Sequence, residues 1–305
     1  MRALNSVAIS EDGTYATVGG GIKGLELAQA LWKEKKQTVT GCCECVGLTA
    51  VALGGGHGVL QGYYGLLSDQ MLEVRLVLAN GTAITVSDSE HADLFWGLQG
   101  AGHNFGIVTS MKYKIYDVDF ANGKNVWSYE VFTYPATKEN IRAVYTHARR
   151  LMATQPEGLF LYGLVLTNPL VSDEPVIMKH VIWNGPLSEI RQFTQGFHDL
   201  NPLDVGAEEG ELPDVSRYLQ VDKDSVVCHA REFVPGPGIP RFPTDMKEYN
   251  IDAVVDAVEK FRELTVSVKE LAGSFFMLEQ YSTQGLRKRS ADSSAVIARE
   301  DRLLL

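Results

Sequence analysis

Residues 41–58, GCCECVGLTAVALGGGHG, constrain this chain more than any other stretch. Three cysteines, a run of small apolar residues and a triple glycine share eighteen positions. Glycine reaches positive φ without steric penalty and lets backbone come close to a ligand. Gly54, Gly55, Gly56 and Gly58 therefore read either as a loop around a flat or anionic group or as a tight surface turn. Two familiar phosphate loops do not fit. The dinucleotide fingerprint needs a helix with an apolar stripe after its glycines, whereas GGGHG runs into VLQGYYGLLSDQ, which has two more glycines. A Walker A loop needs Gly-Lys-Ser/Thr, which does not follow.

Around this stretch the pattern alternates strands and helices. Residues 6–18 predict a hairpin turning at Asp12-Gly13, and the triple glycine 19–21 breaks its second strand. Residues 22–36 predict a helix that ends in cations. Residues 72–87 predict a hairpin, because Asn80-Gly81 joins two β-rich runs. Asp93–Leu98 reads as a short helix. In 106–116, Ile107, Met111, Tyr113 and Ile115 alternate with polar residues, as in a half-buried strand. From about 119 the composition changes. Strands over 126–134, 158–167 and 176–184, helices over 137–153 and 187–200, a long helix over 249–271 and a strand over 273–282 follow. Thr137 suits an N-cap. Residues 201–247, rich in Pro, Gly and acids, read as a long excursion.

The 305 residues suffice for two domains. Hydrophobic content of 45% is that of a globular chain. A net charge of −10 without a basic patch argues against nucleic acid and anionic membranes as partners. No apolar run reaches bilayer length, and MRALNSVAISEDG lacks the apolar core of a signal peptide. Of the four cysteines, Cys42, Cys43 and Cys45 crowd together and Cys228 stands far off, a spacing that does not suggest a disulfide framework. A metal reading of the crowded cysteines needs a fourth ligand and usually a second close pair. Only His57 is at hand, so no metal is expected.

After the glycine loop come YYGLLSD, the strand–Asn-Gly–strand unit, DLFWGLQGAG and NFGIVT. In that order and spacing they resemble the FAD-binding domain of the berberine bridge enzyme-like oxidoreductases, a branch of the vanillyl-alcohol-oxidase (PCMH-type) flavoproteins. The resemblance is close over 41–118, diffuse over 1–40 and weak beyond 119. It implies an α+β fold, with a PCMH-type FAD-binding domain over 1–118 and a substrate domain over 119–305 whose antiparallel sheet is covered by helices. It also implies an FAD-dependent oxidoreductase or oxidase. Hydride would pass from a small-molecule alcohol, sugar or amine carbon to the flavin, and molecular oxygen would reoxidise it. The family's pyrophosphate loop, which in many members carries a flavin-linked histidine, has no counterpart here, nor has its closing C-terminal part. The chain is therefore expected to be shortened at both ends.

The resemblance also assigns residues. Bicovalent members place a flavin-linked cysteine between a glycine and a following Val-Gly, and in Gly41-Cys42-Cys43-Glu44-Cys45-Val46-Gly47 that position is Cys43. Its alternative is an inert, buried small residue. Val46, Gly47, Gly54, Gly55 and Gly58 would line the ribityl and pyrophosphate region. Gly106, Ile107 and Val108 would contact the adenine side. Asp69 either ties its loop down or is an ordinary turn aspartate. Gln99 and Gln61 depart from the family, where arginine or basic residues are common. Relatives carry a catalytic base on substrate-domain strands. Here period-two alternation puts Phe275, Met277, Glu279 and Tyr281 on one strand face, making Glu279 the candidate base and Tyr281 its partner. The alternative for Glu279 is an edge-strand glutamate facing solvent. The alternative for the whole chain is a non-catalytic remnant or binding module without flavin, which colour distinguishes.

Overall fold

The computed structural model describes residues 1–167, 172, 174–233, 244–296, 299 and 303–304. They form two compact units. The first comprises Met1–Lys124, Leu212–Ile239 and Thr283–Glu300; the second comprises Asn125–Glu211, Pro240–Ser282 and Asp301–Leu305. The first break follows shortly after the composition change at 119, and two later segments rejoin the first unit.

In the first unit, β1 (Val7–Ile9) and β2 (Tyr15–Gly19) make the expected hairpin. Helix α1 (Gly24–Lys33) buries Leu27 and Leu31. Helix α2 (Leu48–Leu53) follows the cysteine turn. β3 (Met71–Val77) and β4 (Ala83–Ser87) pair antiparallel across the Asn80-Gly81 turn, where Gly81 takes φ 85° and the Asn80 side chain accepts from the Thr82 N–H. Helix α3 (Ala92–Ala101) follows, and β5 (Ile107–Lys114) completes a five-stranded sheet ordered β1-β2-β5-β3-β4. Its core gathers Ala16, Val18, Val74, Leu76, Met111 and Tyr113.

One expectation in β5 fails. Ile107 is 55% exposed, while Val108 is 3% exposed. The cause is a bulge. β3 pairs Arg75 with Ser110 but Leu76 with Val108, so β5 contributes one extra residue there. An extra residue inverts the inside–outside phase of everything before it. Met111 and Tyr113 keep the expected side, and Ile107 loses it.

The second unit holds an antiparallel sheet with helices packed on it, as expected. Its main strands are β6 (Val126–Pro135), β7 (Leu159–Leu166), β8 (Val176–Trp183), β9 (Asp204–Glu211) and β10 (Phe275–Gln280). The order is β9-β6-β8-β7-β10, followed by the two-residue strands Leu303–Leu304 and Asp245–Met246. Helices α4 (Lys138–Met152), α5 (Leu187–His198) and α6 (Ile251–Ser267) join this unit. Thr137 caps α4 by accepting from the Asn140 N–H. On the helix-covered face, Phe132, Leu161, Val165, Val181 and Leu278 pack with Ile141, Val144, Tyr145, Val254 and Val258. The excursion expected over 201–247 instead begins with β9, which pairs with β6 over its full length. Its sequence DVGAEEGE has no alternation to read, because an edge strand with both faces wet needs only its backbone.

Candidate functional site

The cysteine turn is sewn to the start of α1. The Gly24 N–H donates to the Val46 carbonyl at 3.1 Å, and the Leu48 N–H donates to the Ile22 carbonyl at 3.0 Å. Gly47 then caps α2 from an extended conformation. These bonds leave Val46 41% exposed and Cys43 half-buried. The backbone here is open. A Cβ added at Gly41 or Gly47 would meet nothing nearer than 4.0 Å or 3.9 Å respectively. A flat ring suits such a surface, and a thiol lies within it. A small open pocket of about 30 Å³ adjoins it, lined by Gly24, Thr40, Gly41, Cys42, Glu44 and Ser216 among others.

The next loop is built differently. Gly55 and Gly56 adopt φ of 96° and 75°, which glycine alone takes cheaply. Their carbonyls accept from the Ser68 and Leu67 N–H groups at 2.8 and 3.1 Å. Gly58 is buried, and a Cβ there would collide with the Thr40 carbonyl. Gly55 is likewise buried, and a Cβ there would come within 3.1 Å of a Val296 methyl, whereas Gly54 is exposed. The close approaches at Gly55 and Gly58 are thus to this chain's own atoms. At the third predicted segment, a Cβ on Gly106 would strike the Val77 carbonyl.

Sequence reading missed the piece that joins these segments. Gly20 abuts the Val108 carbonyl and donates its N–H to Thr109 at 2.8 Å, while Ile22, two residues on, bonds to Leu48. The triple glycine 19–21 therefore lies between the Gly106–Val108 edge and the cysteine turn.

Asp69 does tie its loop down. It is 2% exposed, and its oxygens accept from the Leu66 N–H at 2.9 Å, from both terminal nitrogens of Arg299 at 2.9 and 2.8 Å, and from Arg289 at 3.1 Å. Gln99, the departure from arginine, is buried and donates to the Ser68 carbonyl at 3.0 Å, propping the same loop. Gln61 is buried and hydrogen-bonds His57 at 2.6 Å.

The cysteines overturn one expectation. Cys45 and Cys228 form a disulfide across 183 residues. Glu44, between the cysteines, is buried; its N–H donates to the Val221 carbonyl at 3.2 Å and its carboxylate accepts from the Lys223 N–H at 2.8 Å. Spacing showed only the crowding at 42–45. The partner arrives through chain folding that no local count reports.

In the second unit, Glu279 and Tyr281 sit on the sheet face away from the helices. Glu279 is no edge residue: it stands opposite Tyr162 on one side and Leu304 on the other. It is half-buried. Burial pushes its carboxyl above the usual range, and a hydrogen bond from the Tyr281 hydroxyl acts the other way. Tyr281 stacks on Phe160 with ring centroids 4.5 Å apart. The same face continues with Tyr162 and His180, centroids 5.5 Å apart, and with Tyr129, whose hydroxyl lies 3.2 Å from His180 Nδ1. Burial, and secondarily Lys179, hold the His180 imidazole down to about 3, so it is neutral at ordinary pH. Alternation in 158–167 and 176–184 carried a signal for this aromatic band, but no charged residue drew attention to it.

Comparison with known proteins agrees with this architecture. The FAD binding domain family matches residues 1–87. The FAD-linked oxidoreductase chyH of Penicillium rubens is 37% identical over 307 residues, covering 100% of this chain and 59% of that protein. Among solved structures, BBE-like 1 of Physcomitrella patens superposes with a TM-score of 0.76 at 21% identity, covering 100% of this chain and 64% of that one. Glucooligosaccharide oxidase from Acremonium strictum, which carries a 6-S-cysteinyl, 8α-N1-histidyl FAD, superposes with a TM-score of 0.74 at 17% identity, covering 100% and 62%. The chain thus spans about three fifths of the length of these relatives. FAD is the cofactor of this kind of chain, and the resemblance drawn from 41–118 holds. No helix among the described residues is long and apolar enough to cross a membrane.

Proposed function

With kinship to the FAD-linked oxidoreductases established along the full chain, we propose that it forms the flavin-binding and substrate-facing part of an oxidase acting on a small-molecule alcohol, sugar or amine carbon. The observation that carries the reading is the Cys43 thiol in an open turn between Gly41 and Gly47. Bound flavin would supply the two-electron acceptor, with molecular oxygen as the final oxidant. Cys43 would hold it through a thioether, beside Val46 and Gly47. Gly54 offers exposed backbone to the same group. Gly55 and Gly58 shape that loop from within, and Gly106, Ile107 and Val108 edge the sheet towards the adenine.

On the substrate side, Glu279 takes the proton from the substrate's O–H or N–H, and the Tyr281 hydroxyl orients the carboxylate. The stacked Phe160 holds the Tyr281 ring in place. The neutral imidazole of His180 extends the same polar–aromatic face.

The experiment is spectroscopic. Denatured protein should keep flavin absorbance, and a peptide spanning Cys43 should carry the flavin mass. Cys43→Ala should lose that link and Cys42→Ala should keep it. A preparation that stays colourless after FAD addition would favour the binding-module alternative and sink the proposal.

A further inference from the structure

Three sulfurs meet in the first unit. The Cys43 thiol places its Sγ 3.4 Å from Cys45 Sγ and 4.0 Å from Cys228 Sγ, and those two are bonded to each other. All three Sγ atoms lie within 4.8 Å of one another. Thiolates, not disulfide sulfurs, ligate metals. With Cys45 and Cys228 joined, the cluster retains one thiol and is a redox group before it is a metal site.

We propose that Cys43, Cys45 and Cys228 form a thiol–disulfide exchange site, in which the bridge to Cys228 passes between Cys45 and Cys43. The Cys43 thiolate attacks Cys228 Sγ. A Cys43–Cys228 bond forms, the Cys45–Cys228 bond breaks, and Cys45 leaves as a thiolate that takes up the proton Cys43 gave away. One disulfide and one thiol stand on each side of the reaction, so it needs no outside oxidant or reductant.

The surroundings suit two bridge positions. Cys43 and Cys45 flank Glu44, whose backbone and carboxylate hold the segment 221–223 at 3.2 and 2.8 Å. Those bonds involve no sulfur. They keep the strap carrying Cys228 docked whichever cysteine holds it. Cys228 Sγ also lies 3.9 Å from the Val221 carbonyl, on the same docked segment. All three cysteines are half-buried, so the sulfurs are neither sealed in a core nor loose in solvent.

The exchange has a consequence that rests on the flavin reading above. While the bridge lies on Cys43, the thiol at the flavin-linking position is consumed; while it lies on Cys45, that position keeps its thiol. The exchange itself requires no flavin.

Peptide mapping tests it. The parent chain, purified without reductant, is blocked with N-ethylmaleimide at neutral pH, digested without reduction and analysed by mass spectrometry. Two linked peptide pairs are expected: Cys45–Cys228 with the label on Cys43, and Cys43–Cys228 with the label on Cys45. Because the two labelled positions share one digest region, fragment ions assign them. The minor pair should exceed roughly 0.1% of the total, the floor for a thermally populated alternative state. Cys45→Ser should bridge Cys43 to Cys228, and Cys43→Ser should keep only Cys45–Cys228. A parent showing Cys45–Cys228 alone, or a folded Cys45→Ser chain labelled at both Cys43 and Cys228, overturns the proposal. The flavin reading is scored separately: Cys45→Ser should lose covalent flavin and Cys45→Ser with Cys228→Ser should regain it. A parent that never takes covalent flavin refutes that reading and leaves the mapping result standing.

Discussion

Asp69 in the first unit and Lys179 in the second are buried to nearly the same degree, 2% and 0% exposed, and solve the problem of a buried charge in opposite ways. Asp69 gathers partners. Two guanidinium groups and a backbone N–H satisfy both oxygens, with Arg299 engaging in the paired geometry that suits carboxylates. Lys179 gathers almost none. Its Nζ lies 5.7 Å from the centre of the Tyr145 ring and has no hydrogen-bond acceptor among the described residues. Burial brings its ammonium down from 10.5 to about 7. The contrast shows what each burial is for. The paired carboxylate fastens the segment after the glycine loop to Arg289 and Arg299, and so stabilises the first unit. The lonely lysine sits under the sheet, contributes its stem to packing, and costs stability whenever it is charged.

Breaking the comparison at Lys179 should have the largest effect. Its folded-state value lies below its unfolded one, so the penalty is full below pH 7 and fades as pH rises towards 10.5. Lys179→Met should therefore raise stability by up to about 5 kcal/mol near neutrality, shrinking at high pH, as read by denaturant unfolding. Since Lys179 also helps to hold His180 down, the substitution should move the His180 titration upward in an NMR experiment. A neutral-pH stability equal to the parent's would mean the ammonium has found solvation that the contrast denies it.

Breaking the other side comes next. Asp69→Asn leaves Arg299 buried without its counter-charge and should destabilise the first unit by about 3–5 kcal/mol. Proteolysis should then cut between 285 and 296 before other sites, because the strap over that region loses its anchor. Loss confined to a few tenths of a kcal/mol would place Asp69 among ordinary turn aspartates.

Glu279 sharpens the comparison at the smallest scale, being a half-buried acid with one tyrosine partner. Its folded value is raised, so its favourable contribution is complete at low pH and is lost as pH climbs through the raised value. Glu279→Gln should flatten that decline in a series of melting curves. If Glu279 is the base, the same change should slow flavin reduction by about 10²–10⁴-fold without altering flavin binding. Stopped-flow reduction at the parental rate would assign the carboxyl to structure alone.

Sequence alone determined the elements whose signals are local. The Asn80-Gly81 hairpin, the capped start of α4 at Thr137 and the shared face of Met277, Glu279 and Tyr281 follow from turn chemistry and from periods of 3.6 and 2. The turn that carries Gly41, Cys43, Val46 and Gly47 is equally local, since a turn is written in consecutive residues. Tertiary structure decided the rest. Asp69 meets Arg289 and Arg299 across 220 and 230 residues, and Cys45 meets Cys228 across 183. The bulge that turns Ile107 outward arises from the register of β5 against β3, not from β5 itself. β9 is held by its neighbour's backbone and not by any pattern of its own. The physical reason is common to all four. Local periodicity reports the conformation of a segment, whereas pairing partners are chosen by burial and chain closure, which depend on where every other segment lies.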